Sequence, residues 1–366
     1  MVSYSDVLIS NNSLSSAGGG GPGPVAVVVG ATNGIGLTTV VALLKHTSSP
    51  TIYLVGRNET RLQTLISKTF QPLNSSATLI PIVAGDLTLA RNAARAADEI
   101  VRDATTRQSS SGSASEASPK IDLLILTAGY LALTSKPDWS PEGLERLMAI
   151  RFHSRAQIIL TLLPLLRRAP SPRVVSVLGA GEEGALVLDD LGMTQPNTYG
   201  PLYAMGAAGS MTTLFLEKLG SLPENNKVVF IHTFPGMVPD TALQVQNSFF
   251  LYNWIYSLIK KLSGWVMKTH SAEEAGERTL FVATSGRFRR VENGNGNQGG
   301  VGVAGTDVQQ GSNGVVGSGV YIVGEDSDAI PDGGNDELKK LREKRGADRV
   351  WEYTVKELER INKSST

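Results

Sequence analysis

The stretch that decides the fold is Val25-Ala26-Val27-Val28-Val29-Gly30-Ala31-Thr32-Asn33-Gly34-Ile35-Gly36. Its first five residues are apolar and mostly β-branched, and the absence of polar alternation predicts a strand that is buried on both faces. Three glycines follow in the spacing Gly-x-x-x-Gly-x-Gly, and a helical pattern then runs from Gly36 to His46. The stretch therefore predicts a strand and a helix joined by a glycine-rich turn.

The glycine-rich turn predicts a pyrophosphate site. Residues without a Cβ let the backbone approach a ligand, and the N terminus of the next helix offers N–H groups and a partial positive charge. A tight turn without a ligand is the alternative, but the position between a valine run and a helix favours a dinucleotide. The residues expected to contact the dinucleotide here are Gly30, Thr32, Asn33, Gly34, Ile35 and Gly36.

Arg57 bears on the choice of dinucleotide. The second predicted strand ends at Val55-Gly56-Arg57, where an NAD site would carry an acidic residue for the ribose 2′-hydroxyl. An arginine suits a 2′-phosphate instead, and Arg61 lies one helical turn later. The sequence therefore predicts NADP(H) rather than NAD(H). A solvated turn capped by Arg57 is the alternative interpretation.

The rest of the chain alternates between strand and helix patterns. With Val25–Val29, the predicted strands are Thr51–Val55, Leu79–Val83, Ile121–Leu126, Arg173–Leu178, Lys227–Thr233 and Val320–Val323. Besides the helix that ends at His46, the predicted helices are Glu59–Phe70, Leu89–Arg107, Pro141–Arg168, Ala204–Leu219, Ala272–Ala283 and Asp336–Ile361. This order predicts an α/β fold, a Rossmann-like doubly wound parallel sheet of about seven strands with helices on both faces.

Composition divides the chain into three parts. Residues 1–23 end in a run of Ser, Gly and Pro, which predicts a disordered tail. Residues 24–330 form the predicted dinucleotide-binding domain, with low-complexity surface insertions at 108–119 and 292–318. Residues 331–366 form a predicted helical extension.

Composition also excludes several classes of protein. The 34 basic and 34 acidic residues cancel without a basic run, so a nucleic-acid partner is not expected. Cysteine is absent and the four histidines are far apart, so no metal site is expected. The most apolar segment, 249–259, ends at two lysines, well short of the roughly 20 residues of a transmembrane helix. No signal or transit peptide pattern opens the chain, which predicts a cytoplasmic protein.

The turn Gly30–Gly36 resembles the Thr-Gly-x-x-x-Gly-x-Gly motif of the short-chain dehydrogenase/reductase superfamily. Three further segments are similar to its motifs: Gly85-Asp86-Leu87 beside adenine, Thr127-Ala128-Gly129 after the fourth strand, and Pro235-Gly236-Met237-Val238 beside nicotinamide. The chain looks most like a divergent group of fungal members, many linked to secondary metabolism. The resemblance implies cofactor contacts from Asp86, Leu87, Ala128, Gly129, Pro235, Gly236, Val238 and Thr241.

The catalytic tetrad of that superfamily is mostly changed. A tyrosine hydroxyl passes the proton, a lysine four residues later lowers the tyrosine pKa, a serine polarises the carbonyl and an asparagine holds a water. The matching positions here are Arg151 for Asn, Gly179 for Ser, Tyr203 for Tyr and Ala207 for Lys. Tyr199, one turn before Tyr203, is a second candidate.

These changes predict a reduced catalytic set of Tyr203, Tyr199 and Arg151. Without the lysine, Tyr203 is expected to stay protonated near neutral pH and to donate a hydrogen bond to a developing oxyanion, so alcohol oxidation becomes the harder direction. Arg151 either supplies part of the missing positive charge or pairs with a carboxylate on the helix surface. His153, on another face of that helix, is expected to be a packed or solvated histidine.

The aromatic-rich segment 249–265 predicts a lid over a bulky apolar molecule. A dimer contact, core packing and reversible membrane docking are the alternatives. The expected function is an NADP(H)-dependent oxidoreductase acting on a carbonyl or hydroxyl group of a hydrophobic small molecule. A non-redox enzyme of the same fold (isomerase, dehydratase or cyclase) and a catalytically silent cofactor-binding protein remain open. The resemblance also implies a homodimer through helices 141–168 and 204–219.

Overall fold

A seven-stranded, all-parallel sheet forms the centre of the molecule. The computed structural model describes residues 1–17, 23–110, 118–132, 136–195, 198–239, 245–246, 268–291 and 307–364. The sheet order is β3-β2-β1-β4-β5-β6-β7. The strands are β1 (Val25–Val29), β2 (Thr51–Gly56), β3 (Thr78–Val83), β4 (Leu123–Leu126), β5 (Arg173–Val177), β6 (Val229–Thr233) and β7 (Val320–Val323).

The strand order reverses beside β1, which pairs with β2 on one side and with β4 on the other. Ala26 lies opposite Ile52 in β2 and opposite Leu123 in β4. In an open parallel sheet, such a reversal opens a crevice at the carboxyl ends of the strands, where ligands bind. The sheet and its helices confirm the predicted fold class.

Helices cover both faces of the sheet. In chain order they are α1 (Tyr4–Asn12), α2 (Gly34–His46), α3 (Glu59–Leu65), α4 (Ala90–Ser110), α5 (Ser154–Leu166), α6 (Pro201–Ser221), α7 (Ala272–Thr284), α8 (Asp336–Glu343) and α9 (Gly346–Lys363). The shorter helical segments are Leu14–Ala17, Ile66–Phe70, Gln71–Leu73, Arg146–Met148, Ala149–His153, Pro223–Asn225, Gly286–Phe288 and Pro331–Gly333. Two short strands, Leu131–Ala132 and Val245–Gln246, pair with each other in parallel. Each face of the sheet carries its own apolar core.

The N-terminal segment is folded, so the predicted disordered tail is wrong for α1 and the residues next to it. Ser3 caps α1 by accepting a hydrogen bond from the Asp6 amide. The Asn11 side chain donates to the main-chain oxygen of Glu277 in α7 at 2.9 Å and to its carboxylate at 2.7 Å. Val7 is fully buried. Val2 and Leu14 are buried in the same apolar core as Val7, and these contacts together with the Asn11 amide dock the segment.

The C-terminal extension is two helices where the sequence pattern predicts one. Arg345 lies between α8 and α9 with φ +58°, in the left-handed region that a continuous helix of L-residues does not enter. The second helix, α9, packs on α6, and Trp351 stacks on Phe215 with ring centroids 5.8 Å apart. Part of the α6 face is therefore covered within one chain.

Two features are absent from the described part of the chain. No helix in it is both long and apolar enough to cross a bilayer. Its His, Asp and Glu side chains nowhere come together in a group of three that could hold a metal ion.

Candidate functional site

The glycine-rich turn after β1 is packed tightly between β2 and β4. Gly30 has φ +93°, and a Cβ on it would lie 2.7 Å from the Thr127 hydroxyl. A Cβ on Gly36 would lie 2.3 Å from the Gly30 carbonyl oxygen. The Gly30 amide donates to the Val55 carbonyl of β2 at 3.0 Å. Side chains at these two glycines would clash with neighbouring residues and displace the turn, so both positions require glycine.

The N terminus of α2 points its free amides into this crevice. Asn33 precedes the helix in extended conformation, is exposed, and makes no capping hydrogen bond with its side chain. The first amides of α2, from Gly34 and Ile35 onward, therefore keep their capacity to bind an anion. Gly34, with φ +53°, allows the sharp entry into the helix.

The end of β2 presents two arginines with different roles. The Arg61 side chain donates to the Thr32 carbonyl of the glycine-rich turn at 3.0 Å. Arg57 is exposed and forms no hydrogen bond or ion pair with the residues that the structure describes. Its guanidinium is therefore the cation available at the end of β2, while Arg61 braces the turn.

Asp86 and Leu87 follow β3 after Gly85, which has φ +68°. Asp86 is half exposed, and its carboxylate accepts from the Thr88 amide at 2.9 Å and lies 3.5 Å from the Arg146 guanidinium. Leu87 is buried, and its carbonyl accepts from Ser154 at 2.7 Å. The carboxylate is thus partly open to solvent beside Arg146, while the neighbouring leucine anchors the loop.

The segments expected near nicotinamide follow β4 and β6. Ala128 and Gly129 come directly after the Thr127 that packs on the glycine-rich turn. Gly236 has φ +73°, and a Cβ on it would lie 2.9 Å from the His270 ring; Pro235 and Val238 beside it are partly buried. Thr241 and the aromatic segment 249–265 lie outside the described residues. The remaining cofactor candidates all follow carboxyl ends of strands, so the fold brings them to one edge of the sheet.

The two candidate tyrosines lie at the start of α6 in different surroundings. Tyr203, in the first turn, is half-buried, and its hydroxyl accepts a hydrogen bond from the Val187 amide at 3.0 Å. The phenolic proton of Tyr203 remains available for donation. Tyr199 precedes the helix and interacts electrostatically with the Arg151 guanidinium. Of the two, Tyr199 is therefore the one that the fold places near Arg151.

Gly179 and Ala207 hold the positions expected for the catalytic serine and lysine, and they differ in the space available for a larger side chain. A Cβ on Gly179 would have only the Glu182 Cβ near it, at 3.8 Å. Ala207 is fully buried because Gly184, in the loop after β5, packs main chain to main chain on Gly206. The Gly184 amide donates to the Gly206 carbonyl at 3.0 Å. A serine would fit at the first position, whereas the loop fills the space that a lysine would need at the second.

The loop after β5 is anchored by a buried carboxylate. Glu183 accepts a hydrogen bond from Thr213 at 2.7 Å and lies 3.4 Å from the His232 ring. Burial raises the pKa of the Glu183 carboxyl, but the hydrogen bonds from His232 and Thr213 outweigh burial, and its pKa is lowered. The Asn335 side chain, which caps α8, donates to the Glu183 carbonyl at 2.7 Å. The C-terminal extension therefore helps to hold this loop on α6.

Arg151 lies in the π-helical turn Ala149–His153 and is 8% exposed. Its guanidinium donates to the Tyr130 carbonyl at 3.0 Å and forms no salt bridge with a described carboxylate. Burial lowers its pKa to about 10, partly opposed by Glu145, Tyr130 and Tyr199. A surface pair with a carboxylate, one of the two interpretations of Arg151, is therefore wrong.

Arg155 is a buried residue of the site that the sequence analysis missed. It is 5% exposed, and it donates to the Ser176 hydroxyl at 2.8 Å, the Val177 carbonyl at 2.9 Å and the Ala128 carbonyl at 2.8 Å. Burial and the neighbouring Arg151 lower its pKa to about 9. The spacing of four residues from Arg151 was the available signal, because it places both arginines on one helix face.

His153 is a packed histidine, as the sequence predicts. Its Nδ1 donates to the Met148 carbonyl at 3.2 Å, and its Nε2 accepts from the Tyr353 hydroxyl of α9 at 3.1 Å. Burial lowers the pKa of His153 to about 4, so the ring stays neutral at physiological pH. It belongs to the contact with α9 and has no free nitrogen for proton transfer.

Comparisons with known proteins agree with this geometry. Residues 24–185 match the family model described as short chain dehydrogenase. The chain is 33% identical to the NmrA-like family domain-containing oxidoreductase notO of Aspergillus sp. (strain MF297-2), over 91% of this chain and 88% of that protein. It is 31% identical to Oxidoreductase AN1596 of Emericella nidulans, over 97% of each. It is 28% identical to the short-chain dehydrogenase/reductase SAT2 of Stachybotrys chartarum, over 93% of each.

Solved structures agree at the level of the fold. The KRED1-Pglu enzyme superposes with a TM-score of 0.51 at 20% identity, over 75% of this chain and 98% of that chain. A short-chain dehydrogenase from Streptomyces avermitilis gives a TM-score of 0.50 at 16% identity, over 72% and 84%.

Proposed function

Because the chain belongs to the short-chain dehydrogenase/reductase family and is an enzyme of the oxidoreductase class, we propose that it uses NADP(H) on a carbonyl or hydroxyl group of a hydrophobic small molecule. The observation that carries the proposal is the bare turn at Gly30 and Gly36 beneath the uncapped start of α2. A Cβ at either glycine would clash with neighbouring residues of the turn and of the segment after β4, and the free amides of α2 suit a diphosphate. The residues present therefore fit a dinucleotide.

The proposed cofactor contacts follow the crevice from β2 to β6. Gly30, Thr32, Asn33, Gly34, Ile35 and Gly36 would hold the pyrophosphate, with Asp86 and Leu87 at the adenine and Ala128, Gly129, Pro235, Gly236, Val238 and Thr241 toward the nicotinamide. When bound, the nicotinamide supplies or accepts a hydride. Arg57, an exposed guanidinium with no partner among the described residues, supports recognition of a 2′-phosphate.

The proposed proton-transfer group is a tyrosine at the start of α6. Tyr203 keeps its phenolic proton for donation while its oxygen accepts from Val187. Tyr199 is the alternative donor, because the positive charge of Arg151 nearby would stabilise negative charge that develops beside it. We propose Tyr203 first, Tyr199 second, and Arg151 as an electrostatic contributor.

A non-redox or silent role is the second candidate, and a specific observation favours it. Ala207 is buried under Gly184, so the position four residues after Tyr203 carries no lysine, and Gly179 offers no hydroxyl. An isomerase, dehydratase or cyclase of this fold would use the crevice and the tyrosines, with the dinucleotide bound but not consumed.

Turnover of the nicotinamide distinguishes the two candidates. The purified protein is mixed with NADPH and a panel of hydrophobic ketones, and absorbance at the nicotinamide band is followed. Consumption of NADPH with any ketone supports the redox proposal. The second candidate would be favoured if NADPH binds tightly but no ketone of the panel is reduced, and if NADP⁺ likewise oxidises none of the matching alcohols.

The biological context is proposed from the composition and from the similar proteins. The absence of cysteine agrees with a reducing compartment, so we propose the cytoplasm. The fungal sources of the similar proteins agree with a role in fungal secondary metabolism.

A further inference from the structure

Two buried arginines share one helical face beside the proposed nicotinamide end of the crevice. Arg151 is 8% exposed and Arg155 is 5% exposed, and four residues separate them along a continuous helical segment. Buried guanidinium groups are normally neutralised by a carboxylate, because removing a charge from water is costly.

The Arg155 guanidinium meets only neutral acceptors. Its two terminal nitrogens donate to the Ser176 hydroxyl and to the carbonyls of Val177 and Ala128, all within 2.9 Å. Its Nε is buried and has no hydrogen-bond partner. The charge of Arg155 is therefore held in place by dipoles, with one donor unused.

Arg151 is likewise held by a neutral acceptor, the Tyr130 carbonyl. Within the described ranges, neither arginine lies within salt-bridge distance of a carboxylate. Glu145 acts on Arg151 from further away, and its carboxylate already accepts from the Met148 amide at 2.8 Å. Among the described residues, the two arginines thus carry more positive charge than Glu145 can balance.

The acceptors of Arg155 locate this charge in the fold. Ala128 directly follows β4 and Val177 ends β5, so the guanidinium joins the carboxyl ends of two neighbouring strands. Thr127, the residue before Ala128, packs on the glycine-rich turn. The charge therefore lies under the end of the crevice that is distant from Arg57, which follows β2.

We propose that Arg151 and Arg155 make the site selective for the reduced dinucleotide, which loads the enzyme for carbonyl reduction. This inference rests on the proposed function. The oxidised nicotinamide ring is a cation and the reduced ring is neutral, while the phosphates are shared by both forms. A fixed positive charge near the ring therefore disfavours only the oxidised form.

The expected effect is large enough to measure. At an effective dielectric of about 20, two like charges about 10 Å apart repel by an energy that corresponds to more than about tenfold in an equilibrium constant. We therefore expect NADPH to bind at least about tenfold more tightly than NADP⁺.

Isothermal titration with each nucleotide tests the inference in wild type and in Arg151→Met and Arg155→Met, with Arg57→Met as the matched control. Methionine keeps much of the apolar stem and removes the charge. Arg155→Met leaves three hydrogen-bond acceptors without a donor and is therefore the variant more prone to misfold. Arg151→Met leaves only one acceptor without a donor, so it still tests the inference if Arg155→Met does not fold. We expect both variants to reduce the NADPH preference by about threefold or more. Arg57→Met should weaken both nucleotides by the same factor.

An equal affinity of wild type for the two nucleotides would overturn the inference, as would an unchanged preference in a folded Arg151→Met protein. Failure of wild type to bind either nucleotide is a different result, because it would overturn the dinucleotide proposal and this inference together.

Discussion

Ala207 occupies the position where the family resemblance implies a lysine, and the surrounding atoms explain why a lysine is absent. Gly184 approaches Gly206 so closely that a Cβ on either would lie 2.9 Å from the Cα of the other. The Ser210 hydroxyl donates to the Gly184 carbonyl at 2.5 Å and closes the contact. The loop after β5 therefore lies on α6 where a long side chain would otherwise extend toward the cofactor.

Ala207→Lys is predicted to destabilise the fold and not to restore the tetrad. A lysine at this fully buried position would carry an unpaired charge or displace the loop, at a cost of about 3 kcal/mol or more. Urea unfolding measures this cost. Gly179→Ser is the matched control, since its Cβ meets nothing closer than 3.8 Å and should change the free energy of unfolding by less than about 1 kcal/mol. A stable and more active Ala207→Lys enzyme would contradict this account of the loop.

The two tyrosines give a second prediction at this scale. Tyr203→Phe is expected to lower kcat by about 100-fold or more, because it removes the proposed proton donor. The same variant leaves the Val187 amide without its acceptor, so Tm is measured in parallel. Tyr199→Phe is the control variant and is expected to retain more activity. The opposite ranking, with Tyr203→Phe near wild type, would assign proton donation to Tyr199.

The sequence predicts residues of the crevice better than residues of the chemistry. Gly30, Gly36 and Arg57 can be recognised from the sequence because a glycine-rich turn and an arginine at the end of a strand are both local patterns. The spacing of Arg155 from Arg151 was readable, but its role was not, because two of its acceptors lie in β5 and the third follows β4, and only the folded sheet brings them together. The loop contact at Gly184 is equally non-local.

At the scale of elements, helix α9 is tied to the helix that carries Arg151. The Tyr353 hydroxyl of α9 donates to His153, two residues after Arg151. Trp351, on the same helix, stacks on Phe215 of α6. The C-terminal extension thus supports both helices that position the candidate catalytic residues.

His153 predicts a pH dependence of stability. Its pKa is about 4 in the folded protein and 6.5 by reference, so the unfolded chain takes up the proton first as the pH falls. The contribution of neutral His153 to the free energy of unfolding is therefore full above about pH 6.5. As the pH falls toward 4, this contribution is lost, and the free energy of unfolding decreases by about 3 kcal/mol. Urea unfolding across this range measures it. His153→Gln should show a shallower fall, and parallel curves would contradict the assignment.

Element boundaries mark the limit of sequence reasoning at this scale. The helix α1 lies in a segment predicted to be disordered, because the glycine-rich run after it dominated the composition and the buried amide of Asn11 has no sequence signature. The single helix predicted at the C terminus breaks at Arg345, directly before Gly346, and the prediction did not use this glycine as a helix-end signal. The first error arises where tertiary contacts override the local pattern, and the second where a local glycine was not read as a helix end.

At the scale of the whole molecule, the doubly wound parallel sheet was predictable because seven apolar runs interleaved with helices allow few architectures. The reversal beside β1 then assembles the crevice from segments that are up to two hundred residues apart. Packing of α9 on α6 was not predictable, because an amphipathic pattern shows that one face of a helix is buried but not which element covers it.

The packing of α9 on α6 gives a prediction for the oligomeric state. Because α9 covers part of the α6 face within one chain, a homodimer through this face is no longer what we expect, and we predict a monomer. Size-exclusion chromatography with light scattering at micromolar concentration measures it. Trp351→Ala, which removes the stack on Phe215, serves as the comparison. A dimer of the wild-type protein would contradict the prediction. If Trp351→Ala is a dimer as well, the subunits pair without the contact between Trp351 and Phe215.

The central claim is that the bare turn and the free end of α2 bind a dinucleotide, with Arg57 reading its 2′-phosphate. Isothermal titration of wild type and Arg57→Ala with NADPH and NADH tests it most directly. We predict that wild type binds NADPH more tightly than NADH, and that Arg57→Ala loses about tenfold in affinity for NADPH while NADH binding stays nearly unchanged. Heat from neither nucleotide in folded wild-type protein, or equal losses for both in Arg57→Ala, would contradict the account.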